Sequence, residues 1–141
     1  MKRTDFVKGW VHHAYWDNDW NCAVTTLLVL GDVFDLDVND QLLDAALGMH
    51  GAGGYRAQCG LVEGGLMFLG VLGRARRMCE DAVVQVCYDY AQAFDGKFGS
   101  LVCRELRPDG FAPGQPPHLC EDLTCRAIVF DIDFLRKRLN P

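Results

Sequence analysis

The sequence predicts an all-α fold. Three observations carry that expectation: apolar residues recur at three- and four-residue spacing in successive segments, helix-capping residues stand ahead of those segments, and no clean apolar/polar alternation runs longer than four residues. The expected architecture is a single-domain helical bundle of about five to six helices over residues 1–141, with a glycine-rich loop and a proline-rich loop. A chain of 141 residues, 50% hydrophobic and 23% charged, is long enough to bury one core of its own.

Thr4 to Tyr15 places Phe6, Val7, Trp10, Val11 and Ala14 at helical spacing, a first amphipathic helix. His12 and His13 are adjacent and point about 100° apart, so they read as surface or half-buried histidines rather than as a ligand pair. DNDWNC, Asp17 to Cys22, is rich in capping residues, and CAVTTLLVLG after it reads as a second helix ending at Gly31, with Cys22 in its first turns. Phe34 to Asn39 is a turn. Asn39 or Asp40 then caps a short helix through Leu47, with Gly48 as its terminator.

Gly51 to Gly70, GAGGYRAQCGLVEGGLMFLG, is the stretch around which the rest is organised. Gly51, Gly53 and Gly54 allow positive φ and close backbone approach. Cys59 falls at the start of the next helix, where free backbone N–H groups and the helix dipole favour a thiolate. Gly60, Gly64 and Gly65 each cost about 0.8 to 1 kcal/mol against Ala in a helix, so a close helix contact or a cofactor against the backbone must offset them. Leu61, Val62, Leu66, Met67 and Leu69 nearly encircle this helix, which marks it as central and buried.

Cys79 to Phe98 carries Val83, Val86, Cys87, Tyr90 and Phe94 on one face, and Cys79 and Cys87 read as small apolar core fillers. SLVCRELR, from Ser100, opens a short helical turn bearing Cys103. Pro108 to Pro117 holds four prolines and two glycines and is read as an irregular loop. His118 to Leu139 is the last helix, with Cys120 and Cys125 in its first two turns and RKRL at the dipole-compatible end.

Composition excludes several classes. A net charge of −5 and a pI near 5.2, with RARR at Arg74 to Arg77 as the single basic cluster, argue against nucleic-acid binding. No apolar leader and no run of eighteen apolar residues occurs, so the expectation is a cytoplasmic protein without membrane insertion. No G-x-S-x-G or H-E-x-x-H occurs, and Glu63 and Asp44 stand isolated, so no catalytic residue is assigned. Seven cysteines without an export signal point to metal, cluster or redox chemistry rather than to a disulfide scaffold. Cys22, Cys59, Cys103 and one of Cys120 or Cys125 fall near helix starts or short turns. The absence of any C-x-x-C removes ribbon and finger zinc sites from consideration. Four helix N-termini converging on one spot would favour thiolates or an anionic cluster there.

Asn21-Cys22-Ala23, Cys59-Gly60-Leu61-Val62-Glu63-Gly64 followed by GLMFLG, S-x-x-CREL from Ser100 to Leu106, and a cysteine opening the last helix together carry a resemblance. From about Ala14 to the C-terminus the chain resembles a prokaryotic family described as redox-active, with four cysteines and a Cys-Gly-Ala-x-x-Gly motif (the C_GCAxxG_C_C type). Leu61 stands where that motif has Ala. The family's fourth cysteine is best matched by Cys125, from C-R-A-I-V, with Cys120 as competitor. The family looks related to the iron–sulfur portion of split-Soret cytochromes, although no C-x-x-C-H haem site is present.

The resemblance implies an iron–sulfur cluster, expected as [2Fe–2S], held by Cys22, Cys59, Cys103 and Cys125 beside Gly60, in an electron-transfer or redox-sensing protein with a redox partner protein. Two other readings stay open: a metal-free dithiol/disulfide protein with Cys59 as attacking thiolate, and a structural Zn²⁺ held by four thiolates. His50 and His118 are unassigned. Trp10, Trp16 and Trp20 pack over neighbouring helices or form a homodimer interface.

Overall fold

The computed structural model describes residues 2–107 and 117–139. The expected proline-rich loop, apart from Pro117, lies outside the described residues. Eight helical segments and one π-helical turn occur among the described residues, with no strand. They are α1 (Arg3–His12), the π turn (His13–Asp17), α2 (Cys22–Val33), α3 (Asp40–Ala45), α4 (Gly51–Gly54), α5 (Gly60–Ala75), α6 (Glu80–Phe98), α7 (Cys103–Leu106) and α8 (Glu121–Leu139). The number exceeds the expected five to six because α4, in the expected glycine-rich loop, and the short turn α7 both count as helices.

Local chemistry sets most boundaries. The Asn21 side chain accepts from the Val24 N–H at 2.8 Å, and that of Asn39 from the Leu42 N–H at 3.0 Å, each satisfying a donor that the first helical turn leaves unpaired. Gly99, at φ +89°, ends α6 in the left-handed conformation. Gly31, expected to terminate α2, instead lies inside it. A Cβ there would stand 2.7 Å from Val38 Cγ2 and 2.9 Å from the Leu36 carbonyl, so this glycine makes room for the returning chain.

α5 is the central helix. It packs against α2 on one side and α6 on another, and α8 lies across α1, α2 and α5. A Cβ on Gly64 would come within 2.9 Å of both the Ala23 carbonyl and Thr26 Cβ, and one on Gly65 would collide with the Tyr90 hydroxyl. The helical glycines are therefore contact surfaces. Around them Leu27, Leu30, Leu61, Phe68, Leu69, Leu72, Phe94, Ile128 and Ile132 are fully buried. Each such side chain stabilises by about 1.5 to 3 kcal/mol through burial. Phe94, Phe98 and Phe130 close the α6/α8 seam, with ring centroids 4.5 to 5.8 Å apart. Among the described residues no helix is long and apolar enough to cross a membrane.

One polar pair interrupts this core. The Tyr90 hydroxyl donates to Asp131 Oδ1 at 2.6 Å, Asp131 is 0% exposed, and its Oδ2 has no partner. Burial pushes the Asp131 carboxyl well above its ordinary range and outweighs the Tyr90 bond, which pulls the other way. A carboxyl with a raised native pKa contributes stability that is present below its ordinary value of 3.8 and is lost as pH rises through the native one. Asp131→Asn keeps an acceptor for Tyr90 but cannot ionise. In urea denaturation it is expected to exceed the wild type by roughly 1 to 3 kcal/mol near neutral pH. The two should converge in acid, and a wild type that stays the more stable at pH 7 would contradict this account of the pair.

Candidate functional site

Four cysteines stand at the starts of four helices. Cys22 is the first residue of α2, behind the Asn21 cap, and Cys59 is the N-cap of α5. Cys103 is the first residue of α7. Cys120 directly precedes α8, its carbonyl accepting from the Thr124 N–H at 2.8 Å. Two hydrogen-bonding devices position them. The Asn21 amide donates to the carbonyls of Ala46 and Leu47 at 3.1 and 3.0 Å, clamping the segment after α3 over the start of α2. Residues 56–59 are strapped to residues 101–104: Cys59 N–H bonds the Leu101 carbonyl at 2.8 Å, Cys103 N–H bonds the Ala57 carbonyl at 2.7 Å, and Gln58 bridges Val102. No period-two pattern announces this short pairing, so periodicity could not find it.

Cys22, Cys59, Cys103 and Cys120 line a single chamber of about 200 Å³ together with Gly60, Leu61, Leu106 and Leu123. Two glycines are fitted to its sulfurs. A Cβ on Gly60 would fall on the Cys22 sulfur and 2.6 Å from the Met49 carbonyl, and one on Gly51 would stand 3.2 Å from the Cys103 sulfur. Gly51, Ala52, Gly53 and Gly54 all have positive φ, between 55° and 85°, so α4 is a left-handed turn.

The two candidates for the fourth cysteine part company here, Cys120 lining the chamber with the other three. Cys125 does not line the chamber; it borders surface grooves with Lys8 and Asp122 instead. Five steps of about 100° turn it roughly 140° around α8 from Cys120. The acidic pair Glu121 and Asp122, which marks the first turn of α8, was the available signal that Cys120 holds a helix-start position like that of Cys59. The signal is not specific. Cys79 precedes the same Glu-Asp pair and caps α6, yet it is exposed, away from the chamber and not the core filler expected, and Cys87 is half-buried on α6. All seven cysteines are free of disulfides.

Histidines divide similarly. His12 and His13 pair with Glu121 and Asp17 at 3.0 and 2.8 Å, outside the site. His50 lines the chamber, its Nδ1 3.3 Å from the Asn21 amide nitrogen. His118 stacks on Tyr15 with centroids 5.1 Å apart and helps to line an outer cavity that shares Cys22, His50, Arg107 and Cys120 with the chamber. The Tyr15 hydroxyl lies 2.6 Å from that of Thr124. Trp10 donates to Asp32 at 2.9 Å, and Trp16, 50% exposed, lies edge-on to His118.

Burial raises the pKa of all four chamber thiols. Cys59 is pushed up to about 11, although the N–H groups of Leu61 and Val62 pull it down. The helix-start donors expected to make it a thiolate are present, but desolvation outweighs them. The Cys22 thiol is raised furthest, by burial and then by the charges that Cys59, Cys120 and Cys103 would carry. The thiols are therefore neutral near pH 7 unless a cation offsets the charge. Four sulfurs about one chamber with apolar walls form a donor set that suits thiophilic metals and iron–sulfur clusters. As they stand, no three His, Cys, Asp or Glu side chains among the described residues are grouped so as to hold one metal ion.

Gly60→Ala is expected to destabilise the protein by about 1 to 3 kcal/mol through overpacking against the Cys22 sulfur. Gly70→Ala, where a Cβ meets nothing within 4 Å, is expected to be neutral or stabilising. Thermal melts of the two variants check this, and equal melting temperatures would show that the Gly60 contact carries no weight.

No curated protein and no solved structure matches this chain. Residues 20–132 match the family described as "Putative redox-active protein (C_GCAxxG_C_C)". That span covers most of the chain and contains all four chamber cysteines, and the chain belongs to this family.

Proposed function

We propose that the chain is an electron-transfer or redox-sensing protein in which Cys22, Cys59, Cys103 and Cys120 hold an iron–sulfur cluster, [2Fe–2S] being the type expected. The observation that carries this reading is the convergence of four helix-start thiols, remote in sequence, on one chamber. Membership in a family described as redox-active supports it, and the resemblance to the iron–sulfur portion of split-Soret cytochromes points the same way. When bound, such a cluster supplies one-electron oxidation and reduction.

The chain's own residues then have separate tasks. The four sulfurs are the ligands, and the backbone N–H groups of Leu61 and Val62 at the start of α5 favour negative charge on the Cys59 sulfur. Gly60 and Gly51 leave room beside the sulfurs. Leu61, Leu106 and Leu123 wall the chamber with apolar surface. The raised thiols favour this reading over a metal-free dithiol couple, whose attacking sulfur would have to ionise in the same chamber without a cation.

Anaerobic purification, a visible spectrum and iron and sulfide analysis test the proposal. Cys22→Ser, Cys59→Ser, Cys103→Ser and Cys120→Ser are each expected to lose most of the iron and the visible absorption, while Cys125→Ser keeps both. A protein that stays colourless and iron-free after anaerobic reconstitution would refute it. Stoichiometric zinc without colour would assign a structural Zn²⁺ instead, and thiol loss on mild oxidation of a metal-free protein would assign the dithiol couple.

A further inference from the structure

Next to the chamber lies the larger outer cavity, of about 620 Å³, a size that suits a small-molecule ligand. Cys22 and Cys120 belong to the walls of both spaces, so a molecule seated in the outer one lies against two of the four chamber cysteines. Most of the remaining wall is apolar or aromatic, with Leu28, Leu43 and Leu119 beside the rings of Tyr15 and Trp20.

The polar groups of this cavity are few and specifically placed. The Asn21 amide nitrogen donates to the carbonyls of Ala46 and Leu47, so it also faces His50 Nδ1, 3.3 Å away, as a donor. That leaves the proton of a neutral His50 on Nε2, which has no protein partner among the described residues. His118, stacked on Tyr15, has its Nε2 3.7 Å from Asp19 Oδ1. His118 and Asp19 both hold left-handed backbone, at φ +61° and +52°, a departure of the kind that recurs at ligand clamps. Histidines apart, the charged groups of the wall are two carboxylates, Asp19 and Asp44, against the single guanidinium of Arg107. This balance disfavours an anionic ligand. A metal cation finds no group of three donor side chains among the described residues.

We infer that the outer cavity binds a quinone, which takes electrons from the chamber. The inference rests on the redox reading of that chamber. A quinone is flat, uncharged and largely apolar, so it matches walls of Tyr15, Trp20 and leucine, and its carbonyl oxygens accept from N–H groups such as that of His50. Its reduction consumes two electrons and two protons and turns both carbonyl oxygens into hydroxyls. The electrons arrive singly from the redox centre, which an external one-electron donor refills between them. The protons come from water, which reaches the cavity at the exposed His50 and Asp19.

The probe is duroquinone, whose fully methylated ring offers a cysteine no free position to add to, in anaerobic equilibrium dialysis against the full-length protein as isolated. Saturable binding is expected, weakening about tenfold in His118→Ala/Leu47→Asp. Tyr55→Ala, which removes a ring 78% exposed and outside the cavity wall, is expected to bind like the wild type. Chloranilate, a quinone with the same ring but doubly anionic near neutral pH, is expected to bind at least about tenfold more weakly than duroquinone. Circular dichroism confirms that each variant is folded. No saturable binding, equal binding of chloranilate, or equal loss in the two variants would overturn the inference. Cluster-bearing protein, reduced with dithionite and desalted, is expected to yield one hydroquinone for every two reduced centres, and bound quinone left unreduced would overturn the acceptor role. Dialysis needs no redox centre: binding by an iron-free, redox-inert protein would remove the redox reading and leave a quinone site, whereas a cluster-bearing protein that binds no quinone would remove the site alone.

Discussion

The close seating of α5 on α2 is the constraint on which the rest of the structure depends. Gly64 lies against the Ala23 carbonyl and Thr26, and Gly60 against the Cys22 sulfur and the Met49 carbonyl. A methyl group at either position would hold the two helices apart. Their N-terminal ends are thereby brought level, so that Cys22 and Cys59 face one chamber although 36 residues separate them. The helix-propensity cost of the glycines, about 0.8 to 1 kcal/mol each, is offset by the apolar contact that this proximity permits.

The chamber is completed by pieces of chain with almost no regular structure, held instead by specific hydrogen bonds. The Asn21 amide fixes the segment after α3, and the strap between residues 56–59 and 101–104 fixes α7 beside the start of α5. Each is a small device, but together they convert helix ends into fixed positions. Burial is the opposing term, since it suppresses ionisation of the very sulfurs that the helix starts would otherwise activate. A chamber of this kind is suited to sulfurs whose charge is balanced by a cation, and poorly suited to a free nucleophile.

Much of the helical framework was legible because helix formation is decided locally. The periodicity of Val7, Val11 and Ala14, the Asn21 and Asn39 caps and the left-handed Gly99 each act within a few residues of themselves. Misreadings fell where a distant partner sets the outcome. Gly31 has the signature of a helix terminator, but Val38 folds back onto it and α2 continues to Val33. The first helix gives way to a π turn at His13–Asp17, whose wider winding no propensity rule announces. Tyr90 reads as one residue of the apolar face of α6, and only packing places the fully buried Asp131 carboxyl against its hydroxyl.

By itself the sequence determined that the protein is helical and that several of its cysteines open helices, because capping and periodicity are properties of neighbouring residues. Tertiary structure alone decided which of those cysteines line one chamber. Cys79 and Cys120 both precede Glu-Asp and both stand at helix starts, yet only Cys120 enters the chamber. Cys125, one turn further along α8, is carried by the helical rotation to another face. The direction in which a helix end points is set by the faces it buries against other helices, and that information is spread over the whole chain.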